Sequence, residues 1–198
     1  MWFRSPGWRE TVYWALDLET SGLDPQRDAI LSVGMVPIRD GIIRWGERYY
    51  SLVSPPADHV PSPEAMRIHF ILPEEARAAP PLNEIWPEIA RRLRRGALLV
   101  HYHKLDVAFL RRVARGLGRR WPAPDVVDTV KLLARVTHRR RLLDPYAEAM
   151  PTDLGKARSE FGLPAHRAHH ALYDALATAE LFLALVDRLA IRSYRQVR

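Results

Sequence analysis

The sequence predicts an α/β fold, a mixed β-sheet flanked by α-helices. Apolar, β-branched segments joined by a hairpin turn come first, and short apolar runs alternating with amphipathic helices follow. That order gives antiparallel neighbours and then strands returned through helices. A third observation sets the scale. The 198 residues contain no internal repeat, low-complexity tract or linker, so residues 1–198 are expected to form one domain.

Thr11 to Leu18 (TVYWALDL) reads as a buried strand closed by Ser21-Gly22, because β-branched and aromatic residues fit a pleated, packed surface. Ala29 to Ile38 and Ile42 to Val53 read as two more strands around Arg39-Asp40-Gly41, where Asp-Gly tolerates the positive φ of a tight hairpin. A proline-rich connection, Ser54 to Pro63, precedes a short helical segment around Glu64 to Ile68. Leu82 to Arg95 has helical spacing, with Ile85, Ile89 and Leu93 on one stripe and Gly96 as the stop. Ala97 to His101 is a short apolar strand and Leu105 to Leu117 a helix. Val126-Val127 is a last short strand before a helix through Leu132 and Val136. His138 to Pro151, basic and proline-containing, reads as a loop, and helices over Thr152 to Phe161 and His170 to Ala190 finish the chain.

Composition narrows the chemistry. With no cysteine, disulfides, thiolate catalysis and cysteine-ligated zinc are excluded. Any metal must sit on carboxylates and imidazoles, which favours a hard cation such as Mg²⁺ or Mn²⁺. The formal charge of +7, almost all of it arginine, points to a polyanionic partner. No basic amphipathic helix is directed at a membrane, and no apolar stretch is long enough to span one. Met1 to Glu10 carries Arg4, Pro6 and Arg9 without an apolar run behind them, so a cytoplasmic location is the default expectation.

Several carboxylates violate the burial pattern of their own elements. At period two, Asp17 and Glu19 share one strand face while Trp14, Leu16 and Leu18 take the other. Asp106 heads a helical stripe that continues through Leu110, Val113 and Leu117. Asp174 heads another, with Thr178, Leu181, Phe182, Leu185 and Leu189 behind it. Each helix-start carboxylate taken alone is explained by the helix dipole or by capping. Four that head inward from one strand and two helices repel one another unless cations neutralise them, which points to a metal site. Histidine enters in the run His166-Arg167-Ala168-His169-His170, where spacing and polarity alone leave three candidates for one role.

These residues match a known pattern. DLETSGLD at Asp17 to Asp24, HYHKLDVAFL at His101 to Leu110 and HHALYDALATAELF at His169 to Phe182 resemble the three motifs of the DEDDh (DnaQ-like) 3′–5′ exonucleases. That family includes the epsilon proofreading subunit of DNA polymerase III, ribonuclease T and oligoribonuclease. IHFI at Ile68 to Ile71 and DTVKLLAR at Asp128 to Arg135 are similar to its intermediate marks. The resemblance runs from about residue 11 to residue 190 and implies a ribonuclease H-like fold. It also implies that Asp17, Glu19, Asp106 and Asp174 hold two divalent cations, Mg²⁺ or Mn²⁺, with Asp17 shared between them. His169, five residues before Asp174, becomes the general base. Thr20, Leu23 and His69 fall where the family contacts the terminal nucleotide, and Tyr102 and Leu105 where it holds the substrate strand. Tyr102 stands in place of the family's asparagine, Leu105 in place of a phenylalanine and Phe70 in place of a glycine, so substrate preference is where this chain departs from the pattern.

The implied activity is hydrolysis of phosphodiester bonds at the 3′ end of single-stranded nucleic acid, DNA favoured, releasing nucleoside 5′-monophosphates. Arginines such as Arg139-Arg140-Arg141, in the expected loop, are candidates for tracking the strand. The rivals are the same chemistry on RNA ends or short oligoribonucleotides, and a non-catalytic nucleic-acid-binding or polymerase accessory module. The intact carboxylate set argues against the latter.

Overall fold

A computed structural model of the chain describes residues 6–56 and 67–198. Its six strands are β1 (Tyr13–Thr20), β2 (Ile30–Arg39), β3 (Ile42–Ile43), β4 (Tyr49–Leu52), β5 (Ala97–Val100) and β6 (Val126–Asp128). They form a single sheet in the order β3-β2-β1-β5-β6, with β4 also pairing with β2. β1 is antiparallel to β2 and parallel to β5, and β5 is parallel to β6. The expected mixed sheet is therefore present. The helices are α1 (Pro73–Ala78), α2 (Leu82–Leu93), α3 (His103–Gly116), α4 (Thr129–Leu143), α5 (Leu154–Glu160) and α6 (Ala171–Arg188).

The period-two alternation of β1 divides the core. Tyr13 and Ala15 pack with Phe182 and Leu185 of α6 and with Leu132 and Val136 of α4. Trp14, Leu16 and Leu18 pack with Ile89 and Leu93 of α2 and with Phe109 and Leu110 of α3. Helices thus cover both faces, and truncating a fully buried ring such as Phe182 should cost about 3–5 kcal/mol. Asp17 and Glu19 continue the Tyr13–Ala15 row toward the strand's end, on the face that α6 covers. The β1–β2 register shifts between Glu19 and Thr20, a bulge of the sort that re-aims side chains beside functional sites.

The Asp40-Gly41 hairpin is as expected, with φ of 55° and 76° and Ile38 paired with Ile43. Three readings need correction. The strand expected over Ile42 to Val53 is broken by a 3-10 turn at Trp45–Glu47, where Gly46 interrupts the run and Trp45 lies under the Arg48 guanidinium. The loop expected from His138 is helical through Leu143, because Arg and Leu are good helix formers and Pro145 falls beyond the end. Arg139, Arg140 and Arg141 therefore lie on a helix, not in a loop. The helix α1 went unread although Pro73 with Glu74 and Glu75 marks its first turn. Of the helix expected over 64–68, residues 64–66 lie outside the described residues, and 67–69 are helical. Among the described residues no helix is long and apolar enough to cross a membrane.

Candidate active site

The seat of the site is a row across the sheet. Asp17 of β1 pairs with Gly34 of β2, and Gly34 pairs with Tyr50 of β4. At Gly34 the backbone of Ala171 and Leu172 lies so near that a Cβ would overlap it. Only glycine lets the first turn of α6 lie directly on the sheet here. That turn delivers Asp174, and side-chain oxygens of Asp17, Glu19 and Asp174 converge within 4.8 Å of one another. Asp106, delivered by the first turn of α3, is buried and close enough for its charge to act on Asp17 and Glu19. It lies outside the tight trio.

Such a set resists full ionisation by itself. Burial, then the charges of Asp106, Asp174 and Glu19, hold the Asp17 carboxyl well above the usual range. Burial together with Asp174 and Asp106 pushes Glu19 up to about 8. Burial, assisted by Asp128, pushes Asp106 up to about 7. Removing carboxylates from water beside one another penalises their charged forms, and a hard divalent cation bound by oxygen relieves that penalty. The donor set fits such an ion.

The trio opens on a cleft of about 310 Å³ lined also by His101, Asp153, Leu154, Gly155, His166, Ala168 and His169. Larger cavities, of about 500, 430, 420 and 360 Å³, lie elsewhere. Among the described residues it is the trio at this cleft that brings three carboxylates within reach of one cation, so chemistry and not size selects the site. His169 stands at the cleft with its ring exposed and its backbone in the left-handed region, φ 61°. It is His166, however, that touches the trio, its Nε2 lying 2.8 Å from Asp174 Oδ1. The other oxygen of Asp174 accepts from His170 N–H at 3.0 Å.

Several supporting residues had no assigned role in the sequence reading. Asp128 accepts from the backbone N–H of Tyr102, His103 and Val130 and lies 2.6 Å from His103 Nδ1. It ties the starts of α3 and α4 together. Burial opposes its charge, but these bonds outweigh burial and hold its carboxyl below the usual range. An aspartate at the start of a helical run is an N-cap signal, and DTVKLLAR carried it. His101 spans Thr129 Oγ1 and the Thr152 carbonyl, each at 2.7 Å, and so fixes one wall of the cleft. Arg158, fully buried, donates to the carbonyls of Pro164 and Ala177 and pairs with Glu180. It straps the histidine-bearing segment to α6.

The residues expected to hold substrate are spread around this centre. Thr20 Oγ1 donates to the Gly22 carbonyl at 2.6 Å, while Leu23 and Tyr102 are 78% and 56% exposed. Tyr102 caps α3 with φ 72°. Leu105 packs against the α2–α3 side of the core. His69 is buried; its Nδ1 accepts from Ile71 N–H at 3.0 Å, and its Nε2 has no partner among the described residues. Burial also lowers its pKa, so the ring is neutral with its proton on Nε2.

A mixed sheet covered by helices on both faces, with a carboxylate cluster on its central strand, is a ribonuclease H-like fold carrying a candidate metal site. The sequence matches the RNase_T exonuclease family over residues 14–182, and the chain belongs to that family, the DnaQ-like 3′–5′ exonucleases. A PolC-type DNA polymerase III of Thermotoga petrophila is 32% identical over 176 residues, which cover 88% of this chain and 12% of that protein. The DNA polymerase III epsilon subunit of Treponema pallidum is 29% identical, over 88% of this chain and 76% of its own length. The fold matches E. coli exonuclease I crystallised with a dT13 oligonucleotide, with a TM-score of 0.76, 20% identity, and coverage of 91% of this chain and 42% of that one. The chain thus spans well under half of several proteins it matches.

Proposed function

We propose that this chain is a single-domain, metal-dependent 3′–5′ exonuclease that shortens single-stranded nucleic acid, DNA favoured, and releases nucleoside 5′-monophosphates. The observation that carries the reading is the convergence of Asp17, Glu19 and Asp174 within 4.8 Å, in a setting that penalises the charge of Asp17 and Glu19. Asp17, Glu19 and Asp174 would hold the ions, with Asp106 supporting from behind. Two divalent cations, Mg²⁺ or Mn²⁺, would activate water, neutralise the scissile phosphate and stabilise the departing 3′-oxygen.

The chain's own groups do the rest. His169, exposed at the cleft mouth, accepts the proton of the attacking water, a task suited to an imidazole. His101 and Arg158 hold the two walls between which the phosphate lies. The exposed Leu23 and Tyr102 offer surfaces to the base of the terminal nucleotide, and His69, whose unpartnered Nε2 is buried in the free protein, would meet that nucleotide only once uncovered. A net charge of +7 draws the polyanion in.

The test uses 5′-labelled single-stranded DNA and RNA of equal sequence, with Mg²⁺, Mn²⁺ or EDTA, beside Asp17→Ala. A ladder shortening from the 3′ end, abolished by EDTA and by the substitution, is the expected result, and its strength on each strand names the preferred sugar. Binding without cleavage under every metal would replace this reading with an accessory module.

A further inference from the structure

His169 has little of its own to hold it. Its ring is exposed, no hydrogen bond engages that ring among the described residues, and its φ of 61° is a conformation that a non-glycine residue keeps only when its surroundings impose it. The next residue is held firmly. The His170 ring is stacked on Tyr50, with centroids 4.8 Å apart and planes at 24°. Its other neighbour is the Tyr173 ring, also at 4.8 Å. Tyr173 in turn stacks on Trp45 at 6.4 Å, and the Arg48 guanidinium lies 4.7 Å from the Trp45 ring. The His170 backbone is committed as well, since its carbonyl accepts from Tyr173 and Asp174 as α6 begins. The His170 Nδ1 is buried without a partner among the described residues, so packing and not hydrogen bonding at that atom holds the ring.

Tyr50 stands at the end of the Asp17–Gly34–Tyr50 row, so the strand pairing that sets the metal-binding carboxylate also sets this ring. We propose that Tyr50 is a positioning residue for His169. By clamping the His170 ring it fixes the peptide between residues 169 and 170, and with it the direction in which the His169 imidazole leaves the backbone. The proposal rests on the reading of His169 as proton acceptor. Its reach is specific: Tyr50 is 37% exposed and one face of its ring lies on His170, so its loss should disturb the histidine before it disturbs the core.

A double-mutant cycle on the full chain tests this, with Tyr50→Ala and Tyr50→Phe made alone and together with His169→Ala. Steady-state kinetics on single-stranded DNA are read beside Mn²⁺ titrations and thermal unfolding. Tyr50→Phe keeps the ring and should stay within about 2-fold of the parent. Tyr50→Ala should lower kcat by about 10–10²-fold, the order expected when a catalytic group is displaced by an ångström. KM and the half-saturating Mn²⁺ concentration should be unchanged. In the His169→Ala background it should cost nothing further, because the group it positions is gone.

Equal losses in both backgrounds would overturn the proposal while leaving His169 as the base. So would a raised KM with intact kcat, which would mean that Tyr50 meets the substrate itself. Full activity of His169→Ala alone would overturn the base assignment and this proposal with it. Should Tyr50→Ala fail to fold, Tyr50→Leu, which keeps apolar bulk but cannot stack, is read by the same criteria.

Discussion

Replacing Gly34 with alanine adds one methyl group between β2 and the first turn of α6. The added Cβ would lie closer than 3.0 Å to the carbonyl carbon and oxygen of Ala171 and to the amide nitrogen of Leu172. All three are backbone atoms, so no rotamer change relieves the overlap. Ordinary carbon contacts lie at roughly 3.5–4.0 Å, so the helix start must retreat by about 1 Å. Overpacking of this sort costs about 1–3 kcal/mol, and for a chain of this size each kcal/mol lowers Tm by about 2–4 °C. The catalytic cost is larger, because the same turn carries Asp174 toward Asp17 and Glu19. A misplacement near 1 Å lowers rates by about 10²-fold, and the half-saturating metal concentration should rise with it. The assay is kcat/KM on single-stranded DNA across a Mn²⁺ titration, with thermal unfolding beside it. Gly116→Ala, where nothing lies within 4 Å of the added Cβ, is the control and should leave activity unchanged. Adding Ala171→Gly should not rescue Gly34→Ala, because the overlap is with the Ala171 backbone. Gly34→Ala within a few-fold of the parent would refute the idea that this contact seats the metal ligand.

Three further outcomes are expected. His169→Ala should lose about 10²–10⁴-fold in kcat yet titrate with Mn²⁺ as the parent does. His166→Ala should keep most of its rate, and the reverse pattern would transfer the base role to the histidine that touches Asp174. Glu19 and Asp106 titrate near 8 and 7 in the metal-free fold, above ordinary carboxylates, so the folded state holds protons that the unfolded chain has released. Their contribution to stability is complete below about pH 4 and is lost as pH rises through those values. The Tm of the EDTA-treated protein should therefore fall between pH 5 and 8 and be restored by Mn²⁺ with proton release, and a flat profile would contradict it. Arg158→Met removes a buried guanidinium and its three partners. Its stability cost should lie toward the lower end of about 3–5 kcal/mol, because Glu180 is 34% exposed, and kcat should fall as the histidine segment loosens.

How much of this was legible in the sequence depends on the range of the signal. Local pattern marks the β1 alternation, the Asp40-Gly41 turn and the α6 stripe, and the structure has all three. The four carboxylates stood out because each breaks the burial rule of its own element, a contradiction visible without coordinates. What pattern could not carry was contact between distant segments. Gly34 reads as an ordinary strand glycine until α6 is laid across it. Tyr50 reads as one alternating aromatic until His170 is stacked upon it. The break at Trp45–Glu47 has a local mark, Gly46, which alternation alone passes over. The Arg139–Arg141 run was misread for another reason: charge density suggested a loop, while helix propensity and the position of Pro145 decide the matter.

The same limit explains why the histidine question stays open in the sequence and narrows in the fold. Motif spacing picks out His169, yet the hydrogen bond to Asp174 belongs to His166. The two facts are compatible if the residues divide the work. His166 occupies one oxygen of Asp174 while His170 N–H occupies the other, so Asp174 is oriented before any cation arrives. A histidine so engaged is poorly placed to take a proton from water. His169, unengaged and exposed, is available, and what it lacks in contacts of its own is supplied through the clamped neighbour. Both the proposed metal ligand and the proposed proton acceptor thus depend on the short span from Gly34 to Tyr50 across the sheet. Because a slip of one residue in that pairing would turn Asp17 and Tyr50 to the opposite face, the register of β1, β2 and β4 is a condition of the chemistry as much as of the fold.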